Sequence, residues 1–270
     1  MKKILLIALA LVTLGTTVST IQAAKKKTKE IKWDWDGTKS GNETIDNYLV
    51  CIDTTYRNIQ QYKEQMEGYE MKFDTITIDG KYYAVAYMLN SKGEMVTRGE
   101  VNWQCAQAVI HGVNIVLDIT NAQLSSATAV MALPELGLNA LSFAKYVKGG
   151  AAVFTQGITE VKTIRGQWVS NSKNWKSLKN GAIEDPASLN YFDADALKKL
   201  NKCCYVKPIL PEDESYQKLD ERSQAKGEEQ LKAESEAFVK QLAQLNVAPE
   251  DVKKQQDDLS DDELEKAMQG

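Results

Sequence analysis

Three polar residues at helical spacing are the first candidates for chemistry in this sequence. His111 is the only histidine, and Asn114 and Asp118 follow it after about one and two helical turns. An imidazole near a carboxylate is a common general acid–base arrangement. Glutamines also neighbour His111, so a solvated helix face explains the same pattern. We retain His111, Asn114 and Asp118 as candidates for a polar site and assign no catalytic residue.

Four cysteines offer a second kind of chemistry, namely Cys51, Cys105, Cys203 and Cys204. If the compartment is oxidising, we expect Cys51 or Cys105 to be linked to Cys203 or Cys204, because a bond within the adjacent pair would be strained. The alternative is four buried, reduced thiols. No Cys-x-x-Cys spacing occurs in the sequence, which therefore predicts no zinc site.

Sequence motifs for cofactors and nucleic acids are missing. The sequence contains no Gly-x-Ser-x-Gly, no His-Glu-x-x-His and no phosphate-binding glycine loop. Its one lysine cluster, at 25–27, is too short to indicate nucleic-acid binding. We therefore assign no cofactor, no metal and no nucleic-acid partner. A hydrolase whose catalytic residues come together only in the folded chain ranks third among our functional interpretations, after the binding protein and the membrane-active protein described below.

The first 23 residues have the layout of a bacterial secretory signal peptide. Lys2 and Lys3 precede an apolar run at 4–14, and small and polar residues lead to Ala23. The apolar run is too short to span a bilayer. We expect cleavage after Ala23 and a mature chain that is periplasmic or secreted and soluble.

The mature chain divides into three parts by composition and periodicity. We expect an arm at 24–43, a mainly helical body at 44–211 and an acidic helical tail at 212–270. The body opens with a predicted helix at 44–68, capped by Asn42 or Thr44.

A small β element follows this helix. Strands at 72–78 and 81–89 flank an Asp79-Gly80 turn, and a third short strand is expected near 94–97, which closes a hairpin element at 72–97. The predicted fold class is mainly α (α+β), with a small antiparallel β-hairpin or meander.

A poorly charged segment follows the hairpin. Of residues 101–144, only Asp118 and Glu135 are charged. We favour a buried core role for this segment, because small residues let helices approach closely. The alternative is a membrane-active protein that inserts residues 101–160 into a bilayer. The amides, His111 and Pro134 argue against that alternative.

The tail has its own apolar stripe. Residues 212–270 contain 17 acidic and 8 basic side chains. Leu231, Phe238, Leu242 and Leu245 form a narrow stripe that we interpret as a partner-binding surface on a separable helix. We therefore expect an exported, non-enzymatic binding or scaffolding protein that contacts an envelope protein or a second copy of itself.

Overall fold

The computed structural model describes residues 33–250. The expected signal peptide, its cleavage site, the lysine cluster and the end of the tail lie outside these residues. The protein is 69% helical with a three-stranded antiparallel sheet, which confirms the mainly α (α+β) fold class. The described chain forms two compact units. Unit 1 comprises 68–105 and 170–250, and unit 2 comprises 33–67 and 106–169.

The elements follow one another as helix, hairpin, two long helices and a mixed C-terminal region. The helices are α1 (Glu43–Glu67), α2 (Arg98–Ala132), α3 (Ala140–Lys179), α4 (Ala194–Cys203), α5 (Glu214–Lys226) and α6 (Glu228–Gln244), and the strands are β1 (Tyr69–Ile78), β2 (Lys81–Asn90) and β3 (Tyr205–Ile209). Short 3-10 helices occupy Leu133–Asn139 and Pro186–Ser188. The long helices α2 and α3 each contribute residues to both units.

The sheet of unit 1 has the predicted hairpin but a different third strand. Asp79 and Gly80 adopt positive φ angles of 48° and 72°, as a two-residue turn requires. The expected strand near 94–97 is wrong, since Met95 forms only isolated bridges to Leu89 and Val247. The third strand is β3, which pairs with the other edge of β2. As the central strand, β2 is buried on both faces.

The C-terminal helices pack into the core of unit 1 instead of forming a separable tail. Val239 and Leu242 of α6 join the buried cluster of Ile76, Val85 and Leu200. The hydroxyl of Ser235 accepts a hydrogen bond from the backbone N–H of Thr77 at 3.0 Å, which ties α6 to the edge of β1. The expected boundary at residue 212 therefore does not divide the structure, because the sheet needs α6 to cover its apolar face.

In unit 2, α1 packs beside α3, and the two helices run in the same direction. Ile52 fits against Gly150 and Ile59 fits against Gly157, so that a seven-residue step on one helix meets the same step on the other. A Cβ atom at Gly150 would lie 2.9 Å from Cγ1 of Ile52, well inside van der Waals contact. The glycines are thus close-packing positions.

Helix α2 completes unit 2. The Tyr62 hydroxyl of α1 donates a hydrogen bond of 2.7 Å to the Ala108 carbonyl of α2. Asn42 caps α1 as predicted, because its Oδ1 atom accepts from the backbone N–H of Thr44 at 3.0 Å and of Ile45 at 3.3 Å. The turn between α2 and α3 contains Pro134 within its 3-10 helix.

Candidate functional site

The candidate polar site lies on an open helix surface. His111, Asn114 and Asp118 all belong to α2 within unit 2, and all three side chains are exposed. Among residues 33–250, no group of three or more His, Cys, Asp or Glu side chains is placed to hold a metal ion. The structure therefore gives the three candidates the solvated setting that their polar neighbours indicated. It supplies no enclosed space in which they would act together.

The four cysteines are free thiols in the structure. Cys105, Cys203 and Cys204 are buried, whereas Cys51 is half-buried. Burial raises the pKa of Cys105 to about 12, although Ser172 and Lys176 act in the opposite direction. Burial likewise raises the pKa of Cys203 to about 11. Because the thiolate is the reactive form, such thiols are poor nucleophiles near neutral pH.

The cross-link expected under oxidising conditions stays a prediction, and the alternative of four buried thiols fits three of the four cysteines, since Cys51 is half-buried. Cys203 and Cys204 are both fully buried, and burial together with the neighbouring Cys203 raises the pKa of Cys204. The carbonyl oxygen of Cys204 accepts a hydrogen bond of 2.8 Å from Nε of Arg98, which also donates from Nη2 to the Leu200 carbonyl at 2.9 Å. The Arg98 side chain therefore caps the carbonyl groups at the C-terminal end of α4.

The apolar residues of the tail are not an exposed docking stripe. Leu242 is only 1% exposed, and Phe238 and Leu245 pack against the same buried cluster. Phe238 also contacts the Tyr87 ring at a centroid distance of 6.4 Å. Leu231 is half-buried. The stripe we assigned to a partner is occupied by the sheet of unit 1, because its side chains complete that core.

The exposed apolar surface lies instead on α2 in unit 2. Leu117, Leu124 and Met131 are 56%, 76% and 70% exposed. They are spaced by seven residues, which places them in one line along the helix. We call this line the outer stripe. It lies opposite the face of α2 that is buried in unit 2, which includes Ile119 and Ala122.

Within α2, the surroundings of the outer stripe carry no charge. Its flanks are Asn114, Asn121 and Thr128 on one side and Thr120 and Ala127 on the other. Asp118 is one residue after Leu117 and therefore about 100° further around the helix, outside the flanks. A helix face without charge is unusual for a surface that only meets water.

The turn after α2 and the start of α3 add further exposed apolar side chains to this surface. Leu138 is fully exposed and Leu141 is 86% exposed. Within the helical run Arg98–Lys179, an 18-residue window reaches a mean hydropathy of 1.3, and only 22% of that window is buried. By length and composition alone, this run could cross a membrane. The core role that we favoured for residues 101–144 therefore holds for the inward face of α2 and fails for its outer face.

Sequence reasoning missed the outer stripe although its signal is visible. The core role that we favoured for the poorly charged segment holds for Val101, Cys105 and Val109, which are all buried. A second line of large apolar residues at seven-residue intervals was available in the same helix. A helix that is apolar on two opposite sides needs two partners, and unit 2 supplies one.

Two further features of the described chain contain residue types that occur in small-molecule sites. A crevice between α1 and α3, lined by residues such as Tyr56 and Gln156, offers about 10 Å³, the space of a single water molecule. In unit 1, burial raises the pKa of the Asp74 carboxyl, and the Tyr87 hydroxyl donates a hydrogen bond that opposes this shift. Tyr87 itself is buried under α6. The crevice is too small for an organic substrate, and the Asp74–Tyr87 pair belongs to the packing of the sheet against α6.

Comparisons with protein-family models, with curated proteins and with solved structures found no match to this chain.

Proposed function

We propose that this chain is an exported bacterial protein that works by binding and scaffolding instead of catalysis, and that the outer stripe of α2 is its binding surface. The observation that carries the proposal is the uncharged line of Leu117, Leu124 and Met131, each more than half exposed. Contiguous exposed apolar surface on a soluble protein usually marks an interaction site. The charge-free flanks suit a protein partner, because the centres of protein interfaces are depleted in charge.

The chemistry of the remaining candidates supports a binding role. The buried cysteines have raised pKa values, which keeps them in the unreactive thiol form. The polar candidates on α2 are exposed to solvent. Export rests on the layout of the first 23 residues alone. Mass spectrometry of the exported protein should find Ala24 as its first residue, and an intact Met1 in that fraction would contradict cleavage.

The binding role is tested on the protein in its native envelope or secreted fraction. Wild type should run in native size separation at a larger size than the monomer. Leu124→Glu should return it to monomer size, because a carboxylate in the middle of the stripe must be desolvated in any complex. Ser125→Glu is the matched control, since it adds the same charge one residue away, on the Asp118 side of the helix. Equal sizes for wild type and Leu124→Glu would refute the proposed binding surface.

A membrane-active role is the second candidate, and the hydropathy of the run Arg98–Lys179 favours it. The uncharged face speaks against it, because helices that lie in a membrane interface usually carry lysine or arginine beside their apolar face. Co-sedimentation with vesicles of phosphatidylethanolamine and phosphatidylglycerol separates the two roles. Binding of wild type that Leu124→Glu abolishes, in the absence of any protein complex, would establish the membrane role instead.

A further inference from the structure

We infer that the outer stripe of α2 is occupied by the same stripe of a second copy of this chain, which forms a two-fold helical seam. This inference deepens the proposed function and rests on it, because it names the partner of the binding surface. The spacing of the stripe and the absence of charge around it point to this occupant, and the area of the stripe sets the strength of the dimer.

The spacing of the stripe is that of a helix–helix seam. Large apolar residues recur at 117, 124 and 131, and half-buried Ile110 extends the series by one step toward the start of the helix. A strict seven-residue period keeps such residues on one line when two helices cross at a shallow angle. A bilayer or a flat protein surface imposes no such period. The stripe therefore favours another helix as its occupant.

Charge allows that helix to be identical. Two copies meeting through the same surface pair each residue with a symmetry-related contact, and in a parallel seam that contact is the same residue of the other copy. A charged flank would then face a like charge and be destabilised. Here the flanking positions within α2 hold only amides, threonines and alanine, as in Asn114, Asn121 and Thr120. The amide side chains can both donate and accept, so identical copies can satisfy one another.

The area of the stripe suits a weak dimer. Residues 110–131 rise by about 32 Å along the helix, which for a face roughly 10 Å wide gives about 320 Å² per copy. Two copies would bury about 640 Å², which is below the roughly 1,200 Å² of a stable specific interface and in the range of weak, transient ones. Dissociation should therefore depend on protein concentration, with a dissociation constant on the order of micromolar to millimolar.

Sedimentation of the purified mature chain, without any other protein, tests the inference. Wild type should shift from one to two times the monomer mass as its concentration rises. Leu124→Glu should raise the dissociation constant at least tenfold, whereas Ser125→Glu should leave it within about twofold. The Leu124 side chain is 76% exposed, so the variant should keep the wild-type circular dichroism and melting temperature.

Cross-linking gives a second measurement that does not depend on a disruptive variant. Leu124 lies in the middle of the stripe, so it faces Leu124 of the second copy in a parallel seam and in a centred antiparallel seam. Leu124→Cys in a Cys51→Ser background should form an oxidised dimer, and Ser125→Cys in the same background should form much less.

The outcomes separate this inference from the proposed function. A purified chain that stays monomeric, together with a native complex that Leu124→Glu dissolves, would overturn the second copy and keep the binding surface. A native complex that Leu124→Glu leaves intact would remove the binding surface and with it the proposed function. Binding of the purified monomer to phosphatidylglycerol vesicles without dimerisation would assign the stripe to a membrane.

Discussion

Replacing Leu242 by Ala should destabilise unit 1 by about 3 kcal/mol, as is typical for a buried leucine that leaves a cavity. Leu242 is 1% exposed and packs with Val239 into the cluster beneath the sheet. The substitution removes three carbon atoms from a cluster to which both α4 and α6 contribute. The remaining helix can relax only in part, because Ser235 holds α6 to the edge of β1.

The change is measured by urea unfolding followed by circular dichroism, with the free energy of unfolding as the reported quantity. Leu210→Ala is the matched control. It makes the same substitution in the same unit, but Leu210 is 48% exposed, and we expect its effect to stay within about 0.5 kcal/mol. The melting temperature of Leu242→Ala should fall by roughly 2–4 °C for each kcal/mol lost.

Removal of the C-terminal residues should destabilise unit 1 for the same reason as Leu242→Ala. Removing residues 212–270 would uncover Ile76, Ile78 and Tyr87, so the shortened chain should lose the cooperative transition of unit 1. Two results would refute the argument. One is a Leu242→Ala variant as stable as its Leu210→Ala control, and the other is a truncated chain that still melts cooperatively with the full sheet signal. Either result would restore the tail as a separable helix.

Three further predictions concern packing, pH and thiol reactivity. Gly150→Ala should destabilise unit 2 by about 1–3 kcal/mol, because the added methyl group would overpack against α1. Gly166→Ala should stabilise unit 2 by up to about 1 kcal/mol, because nothing lies within 4 Å of the position of the added methyl group. Thermal melts compare the two variants. Burial raises the pKa of Asp74, so this carboxyl stays protonated to a higher pH in the folded state than in the unfolded state. Its contribution to the free energy of unfolding is therefore fully present at low pH and is lost as pH rises through the pKa of the folded state. Melting temperatures from acidic pH upward should therefore show Asp74→Asn gaining stability relative to wild type as pH increases. Iodoacetamide at mildly alkaline pH should label Cys51 of the native protein and spare buried Cys105, with peptide mass spectrometry as the readout; equal labelling would contradict the burial.

Local signals predicted the local structure of this chain well. The Asp79-Gly80 turn and the Asn42 cap depend on a few neighbouring residues, and the structure has both. The helical period from Ile45 to Met66 likewise gave α1 to within about one residue at either end. These features follow from backbone geometry and side-chain periodicity, which a sequence displays directly.

The same local signals could not predict which segments pair when they lie far apart in the sequence. The strand β3 pairs with β2 across more than 100 residues of chain, and its short sequence Tyr205–Ile209 carries no mark of that partner. The stripe of α6 could pack on a partner or on the chain itself, and periodicity is the same in both cases. The two apolar lines of α2 posed the same question, and only the structure shows which one unit 2 covers.

The close-packing glycines of unit 2 limit how α1 can move along α3. Gly150 and Gly157 each leave room for one isoleucine of α1. Sliding α1 by a single turn would place Ile52 or Ile59 against a position of α3 that carries a side chain. In some proteins a change of state moves one element past its neighbour by one helical turn. The fit of the isoleucines to the glycines opposes such a sliding motion between α1 and α3. We therefore expect any change of state in unit 2 to bend or separate whole helices instead.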